Sequence, residues 1–153
     1  MDRAESVKSY VSEAVNLKNA LLGDDSFVNS VLGAIEIVGS CFQNGNKLLI
    51  AGNGGSAAEA QHFAAEIVSG YKNHERKGYP AIALTTDSSI MTAWSNDKSF
   101  DTLFSRQIEA LGKEGDVFLG ISTSGNSQNL IEGVKKAKEM GIKTLCFLGR
   151  DGG

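Results

Sequence analysis

The sequence predicts an α/β fold: a three-layer, doubly wound parallel sheet preceded by two N-terminal helices. Three observations carry this. Four short apolar runs alternate with helix-patterned segments. The runs are apolar at consecutive positions, as in strands buried on both faces. Two longer helical patterns stand ahead of the first run, and right-handed crossovers would wind the later helices onto the sheet.

Val7, Val11, Ala14, Val15, Leu17 and Leu21 recur at helical spacing with Lys8, Glu13 and Lys18 between them, so residues 3–22 read as an amphipathic helix ended by Gly23. Asp25 or Ser26 can cap a second helix, antiparallel to the first, that carries Phe27, Val31, Ile35, Val38 and Phe42 to about Gln43, where Asn44-Gly45-Asn46 closes it. The strand candidates are Leu48–Ala51, Ala81–Leu84, Val117–Ile121 and Thr144–Leu148. Helical patterns fall at about 56–69, 88–95, 101–111 and 127–140. Tyr71–Pro80 is charged and ends in the single proline, as an exposed loop does, and His74 there reads as solvated. Trp94 and Phe104 read as core.

At 153 residues the chain fits one domain. Its 41% hydrophobic and 22% charged residues suit a globular protein with a real core. A net charge of −3 and a pI near 5.4 give no general attraction to nucleic acid or an acidic membrane, so any bound anion needs a local site. Cys41 and Cys146 lie in apolar stretches and read as two buried thiols in a reducing compartment. With no signal-peptide core and no run near the roughly 18 apolar residues of a membrane span, the expected location is cytoplasmic.

Ligands of open parallel sheets bind beyond the carboxyl ends of the strands. After the first strand comes Gly52-Asn53-Gly54-Gly55-Ser56, either a tight turn or a loop whose backbone approaches a ligand closely. After the third comes Ser122-Thr123-Ser124-Gly125-Asn126-Ser127. Clustered hydroxyls at a helix start supply the donors a phosphate needs, whereas capping would require only Ser127 or Asn126. A P-loop is excluded, because no Gly-Lys-Ser/Thr ending follows. His62 and Glu66 share a helix face, as a surface pair, two metal ligands, or partners in acid–base chemistry. Asn96-Asp97 is either a cap for the next helix or a substrate clamp.

Gly52–Ser56, Gln61-His62-Phe63-Ala64-Ala65-Glu66, Asn96-Asp97 and Gly120–Ser127, in this order, resemble phosphoheptose isomerases of the sugar isomerase (SIS) fold over nearly the whole chain. The resemblance implies one SIS domain over 1–153, with 1–44 as a helical hairpin within it. It implies conversion of sedoheptulose 7-phosphate to glycero-manno-heptose 7-phosphate through an enediol, in heptose supply for bacterial lipopolysaccharide. A homotetramer with active sites between subunits is implied as well. Matched by motif, Asn53, Gly54, Gly55, Asn96 and Asp97 would contact substrate, and Ser122, Thr123, Ser124 and Ser127 would hold its phosphate. His62 and Glu66 match zinc-binding positions, one zinc per subunit, and Glu66 matches the catalytic carboxylate, which also touches substrate. The family continues through a further strand and a C-terminal helix whose glutamine and histidine complete the zinc site, so an end at Gly153 reads as a truncation. His74 matches no motif and is no substitute.

Two alternatives accompany the resemblance. One is a non-enzymatic SIS protein resembling the factor that binds the replication initiator DnaA. That relative lacks a carboxylate at the position of Glu66 and has arginine where this chain has Ser124. The other is an isomerase for a different sugar phosphate.

Overall fold

The computed structural model describes residues 2–153. They divide into two compact units, one ending at Glu36 and the other spanning Ile37–Gly153.

In the first unit, α1 (Arg3–Leu22) starts where Asp2 accepts the Ala4 N–H and ends at Gly23. The start of α2 (Asp25–Gln43) is capped by Asp24, whose Oδ1 accepts the N–H groups of Ser26 and Phe27 at 2.9 and 3.1 Å. The expected caps, Asp25 and Ser26, instead lie inside the first turn, because the Asp24 carboxylate already takes the free donors there. No described residue up to Glu36 is buried, so the apolar stripe of α1 stays open.

By length and composition alone, α2 is long and apolar enough to cross a membrane, which the sequence reading did not anticipate. Its last turns have another role. Ile37, Val38, Cys41 and Phe42 pack into the core beneath the sheet, a burial that accounts for their apolar character.

The second unit is built on four parallel strands, β1 (Leu48–Gly52), β2 (Ala81–Ala83), β3 (Val117–Ser122) and β4 (Lys143–Leu148), in the order β2-β1-β3-β4. Strand alternation divides the core in two. Leu48, Ile50, Val117 and Leu119 face Cys41 and the small residues Ala60 and Ala64 of α3 (Gly55–Ser69). On the opposite face, Leu49, Ala51 and Phe118 meet Leu103, Phe104 and Ile108 of α5 (Leu103–Leu111), and Leu130 and Ala137 of α6 (Gln128–Glu139). The three-layer parallel arrangement is therefore as expected. Phe104 is core, and Trp94 packs against that core while its indole N–H donates to Thr102 Oγ1.

Only the two central strands are buried on both faces. β2 and β4 each have one strand neighbour, and most of β4 is exposed, including Cys146, which the sequence reading placed inside. Cys41 is buried, and its thiol donates to the Lys47 carbonyl at 3.3 Å. Burial, and then the nearby Asp116 charge, push that thiol up.

The helical segment expected at 101–111 begins as a 3₁₀ turn, Phe100–Thr102, before α5. Within the Tyr71–Pro80 loop, Arg76 is anchored rather than free. Its guanidinium donates to the Glu66 and Ile67 carbonyls at 2.9 and 2.7 Å, covering the last turn of α3. His74, expected to be solvated only, also lies 3.2 Å from the Ser69 carbonyl.

Candidate active site

The strand order reverses between β1 and β3, which is where an open sheet leaves a crevice for a ligand. Gly52 stands opposite Ile121 in register, so the glycine loop and the serine turn leave the sheet side by side.

Backbone constraints shape the glycine loop. A Cβ on Gly52 would lie 2.5 Å from the Ser56 carbonyl oxygen, and Gly54 takes φ 56°, ψ −119°, a conformation open to glycine. α3 then begins at Gly55 without a side-chain cap. Asn53, half-buried, exchanges two hydrogen bonds with Asn129 on the first turn of α6, each 2.9 Å. Sequence reasoning missed Asn129. The only signal available was an amide placed directly before the apolar stripe that starts at Leu130.

The serine turn gathers its hydroxyls around Ser122, which is buried. Ser122 Oγ lies 3.5 Å from Ser124 Oγ and 3.3 Å from Ser127 Oγ, and it accepts the Gly125 N–H at 3.1 Å. Ser124 Oγ accepts the Asn126 N–H. Ser127 occupies the N-cap position of α6, but its side chain makes no capping bond. Its carbonyl alone takes the N–H groups of Leu130 and Ile131. The hydroxyls are thus drawn to one another, not to the helix, and the dipole of α6 favours an anion beside them. Thr123 is exposed on the same turn.

His62 Nε2 and Glu66 Oε1 are 3.0 Å apart on one face of α3, with side chains 76% and 38% exposed. At about 1.5 Å per residue they sit roughly 10 and 16 Å along the helix from Gly55. Asn96 and Asp97 are the last two residues of α4 (Ser88–Asp97), where the Asn96 amide donates to Asp97 Oδ1 at 2.9 Å. Of the two readings offered for this pair, capping fails: Ser99 caps the next element, its hydroxyl accepting the Asp101 N–H at 3.0 Å. Among the described residues, no hydrogen bond joins His62–Glu66 or Asn96–Asp97 to the serine turn.

An imidazole nitrogen and a carboxylate oxygen are donor types that zinc takes, but a catalytic site uses about three protein ligands. No cluster of three or more such side chains forms among the described residues. His62 and Glu66 therefore do not make a zinc site unaided.

The chain as a whole has counterparts among known proteins. The SIS domain model matches residues 9–149. Phosphoheptose isomerases of Clostridium acetobutylicum and Aquifex aeolicus are 48% and 49% identical over 147 and 149 residues, 96% and 97% of this chain and 74% and 76% of theirs. This chain belongs to the phosphoheptose isomerase family of SIS-domain proteins. Solved family structures agree with the fold. The Neisseria gonorrhoeae phosphoheptose isomerase superposes with a TM-score of 0.91 at 44% identity, covering 99% of this chain and 78% of that one. The Francisella tularensis phosphoheptose isomerase gives 0.94 at 34%, covering 100% and 78%.

Proposed function

We propose that this chain is an aldose–ketose isomerase that interconverts sedoheptulose 7-phosphate and D-glycero-D-manno-heptose 7-phosphate in the cytoplasm, supplying heptose for surface polysaccharide. The observation that carries the reading is the serine turn. Ser122, Ser124 and Ser127 converge at the start of α6, beside the glycine loop and at the switch point of the sheet, without serving as a side-chain cap.

In this reading the turn holds the substrate's phosphate through hydroxyls, loop amides and the helix dipole. That grip fixes a remote end of the sugar, so binding energy orients the reacting carbons. Glu66 is the base. Its carboxylate takes a proton from C1 as the C1–C2 double bond of the enediol forms and the C2 oxygen gains a proton. Glu66 then returns the proton to C2, while the C1 oxygen gives its proton to water and becomes the aldehyde carbonyl, balancing the proton that water supplied to the C2 oxygen. Asn53, Gly54, Gly55, Asn96 and Asp97 are proposed to line the sugar, with Thr123 on the phosphate.

Two further parts belong to the proposal. Zinc would be held with His62 and Glu66 as two of its ligands, a set that these two side chains do not complete by themselves. When bound, it would stabilise the negative charge developing on the carbonyl oxygen. The assembly is a homotetramer with active sites between subunits. Support comes from the open apolar stripe of α1 and from the exposure of Glu66 some three turns along α3.

The test is direct. The protein as its gene encodes it is incubated with sedoheptulose 7-phosphate, and the aldose carbon signal is followed by NMR. Absence of conversion at millimolar substrate, with the phosphosugar still bound, would sink the isomerase reading.

A further inference from the structure

We propose that Asn129 is a positioning residue that ties the glycine loop to the serine turn, so that the two act as a single cradle for a phosphorylated sugar. The choice of ligand rests on the isomerase-family reading above, whereas the tie itself rests on geometry.

Asn129 is 2% exposed, and its carboxamide both donates to and accepts from Asn53, at 2.9 Å each way. A buried amide is costly unless its hydrogen bonds are made, and here a partner 76 residues away in sequence makes them. Helix capping does not explain the residue, because both hydrogen bonds of its carboxamide go to Asn53 and none to the backbone at the start of α6. Direct ligand contact is a poor explanation as well, since the side chain is enclosed and engaged with Asn53.

The pair joins two segments that are otherwise shaped independently. Gly52 and Gly54 set the path of the first through backbone constraints, and the Ser122 hydroxyl organises the second. Both leave adjacent central strands at the level of Gly52 and Ile121. A reciprocal amide pair fixes distance and orientation together, because each partner must present a donor and an acceptor at once. A phosphate that orders the serine turn is then felt at the glycine loop.

Amide hydrogen exchange tests this without relying on turnover. In the parent protein, inorganic phosphate should slow exchange at both 122–129 and 52–56. In Asn129→Ala, slowing at 122–126 should persist while slowing at 52–56 is lost. If Asn129→Ala does not fold, Asn53→Ala breaks the same bonds from the half-buried loop and is read the same way. Slowing at 52–56 that survives substitution overturns the tie, as does phosphate that protects neither segment.

Kinetics give a second readout. The variant should lose about 10- to 100-fold in kcat, with the inhibition constant of inorganic phosphate changed less than about threefold. In unfolding free energy, measured without substrate, adding Asn53→Ala to Asn129→Ala should cost less than the sum of the two single losses, and additive stability losses would overturn the pairing. A parent that fails to isomerise while phosphate still protects both segments refutes the isomerase reading and leaves the tie standing.

Discussion

Ser127 holds the N-cap position of α6, yet its hydroxyl lies 3.3 Å from Ser122 Oγ and caps nothing. A side-chain cap contributes about 0.5–2 kcal/mol, so a capping role and an anion-binding role predict different losses. Ser127→Ala should change unfolding free energy by less than about 0.5 kcal/mol while weakening inhibition by inorganic phosphate several-fold. Denaturant melts and phosphate inhibition constants, measured on one preparation, separate the two; a stability loss above 1 kcal/mol with phosphate affinity intact would restore the cap.

Glu66→Gln keeps the shape of the side chain and removes its basicity. Turnover should fall by about 10²-fold or more, the usual share of a general base, with KM for the sugar phosphate little changed. Zinc content, measured by elemental analysis, should fall in His62→Ala also. Retained turnover in Glu66→Gln would remove this carboxylate from the chemistry.

At the opposite end of the sheet, Asp116 is fully buried and pairs with Lys47 Nζ at 2.6 Å, while also accepting the N–H groups of Lys47 and Lys113 at 3.0 and 2.9 Å. Removing one partner of such a buried pair costs about 3–5 kcal/mol, because the other is left unpaired with orphaned amides. Asp116→Ala should therefore lower Tm by about 10 °C in calorimetry. A shift below about 2 °C would show that water or a neighbouring group replaces the carboxylate.

Val7, Val11 and Val15 are spaced along α1 and all exposed, as is Ile35 on α2. If these stripes are covered by further copies of the chain, sedimentation should report a species about four times the chain mass. Val11→Lys with Ile35→Lys should shift it to smaller species, since a charge in an apolar contact is left unpaired. A monomeric parent would count against the tetramer.

Much of this architecture was legible from pattern. The apolar runs 48–51 and 117–121 read as strands buried on both faces, and so they are, with the glycine and serine motifs directly after them. The burial of the outer strands was less legible. The run 144–148 is as apolar as the others, but its exposure follows from its place in the strand order, which composition does not encode.

Local spacing determined the elements, the order of the motifs, the His62–Glu66 pair and the hydroxyl turn, since each depends on residues a few positions apart. Only the tertiary structure decided that the β1–β3 switch point sets Asn53 against Asn129, that Asp116 closes on Lys47, that Arg76 covers the end of α3, and that the Ser127 hydroxyl pairs with Ser122 instead of capping its own helix. Partnerships at such separations are set by register and layer packing, and these exist only once the sheet has formed.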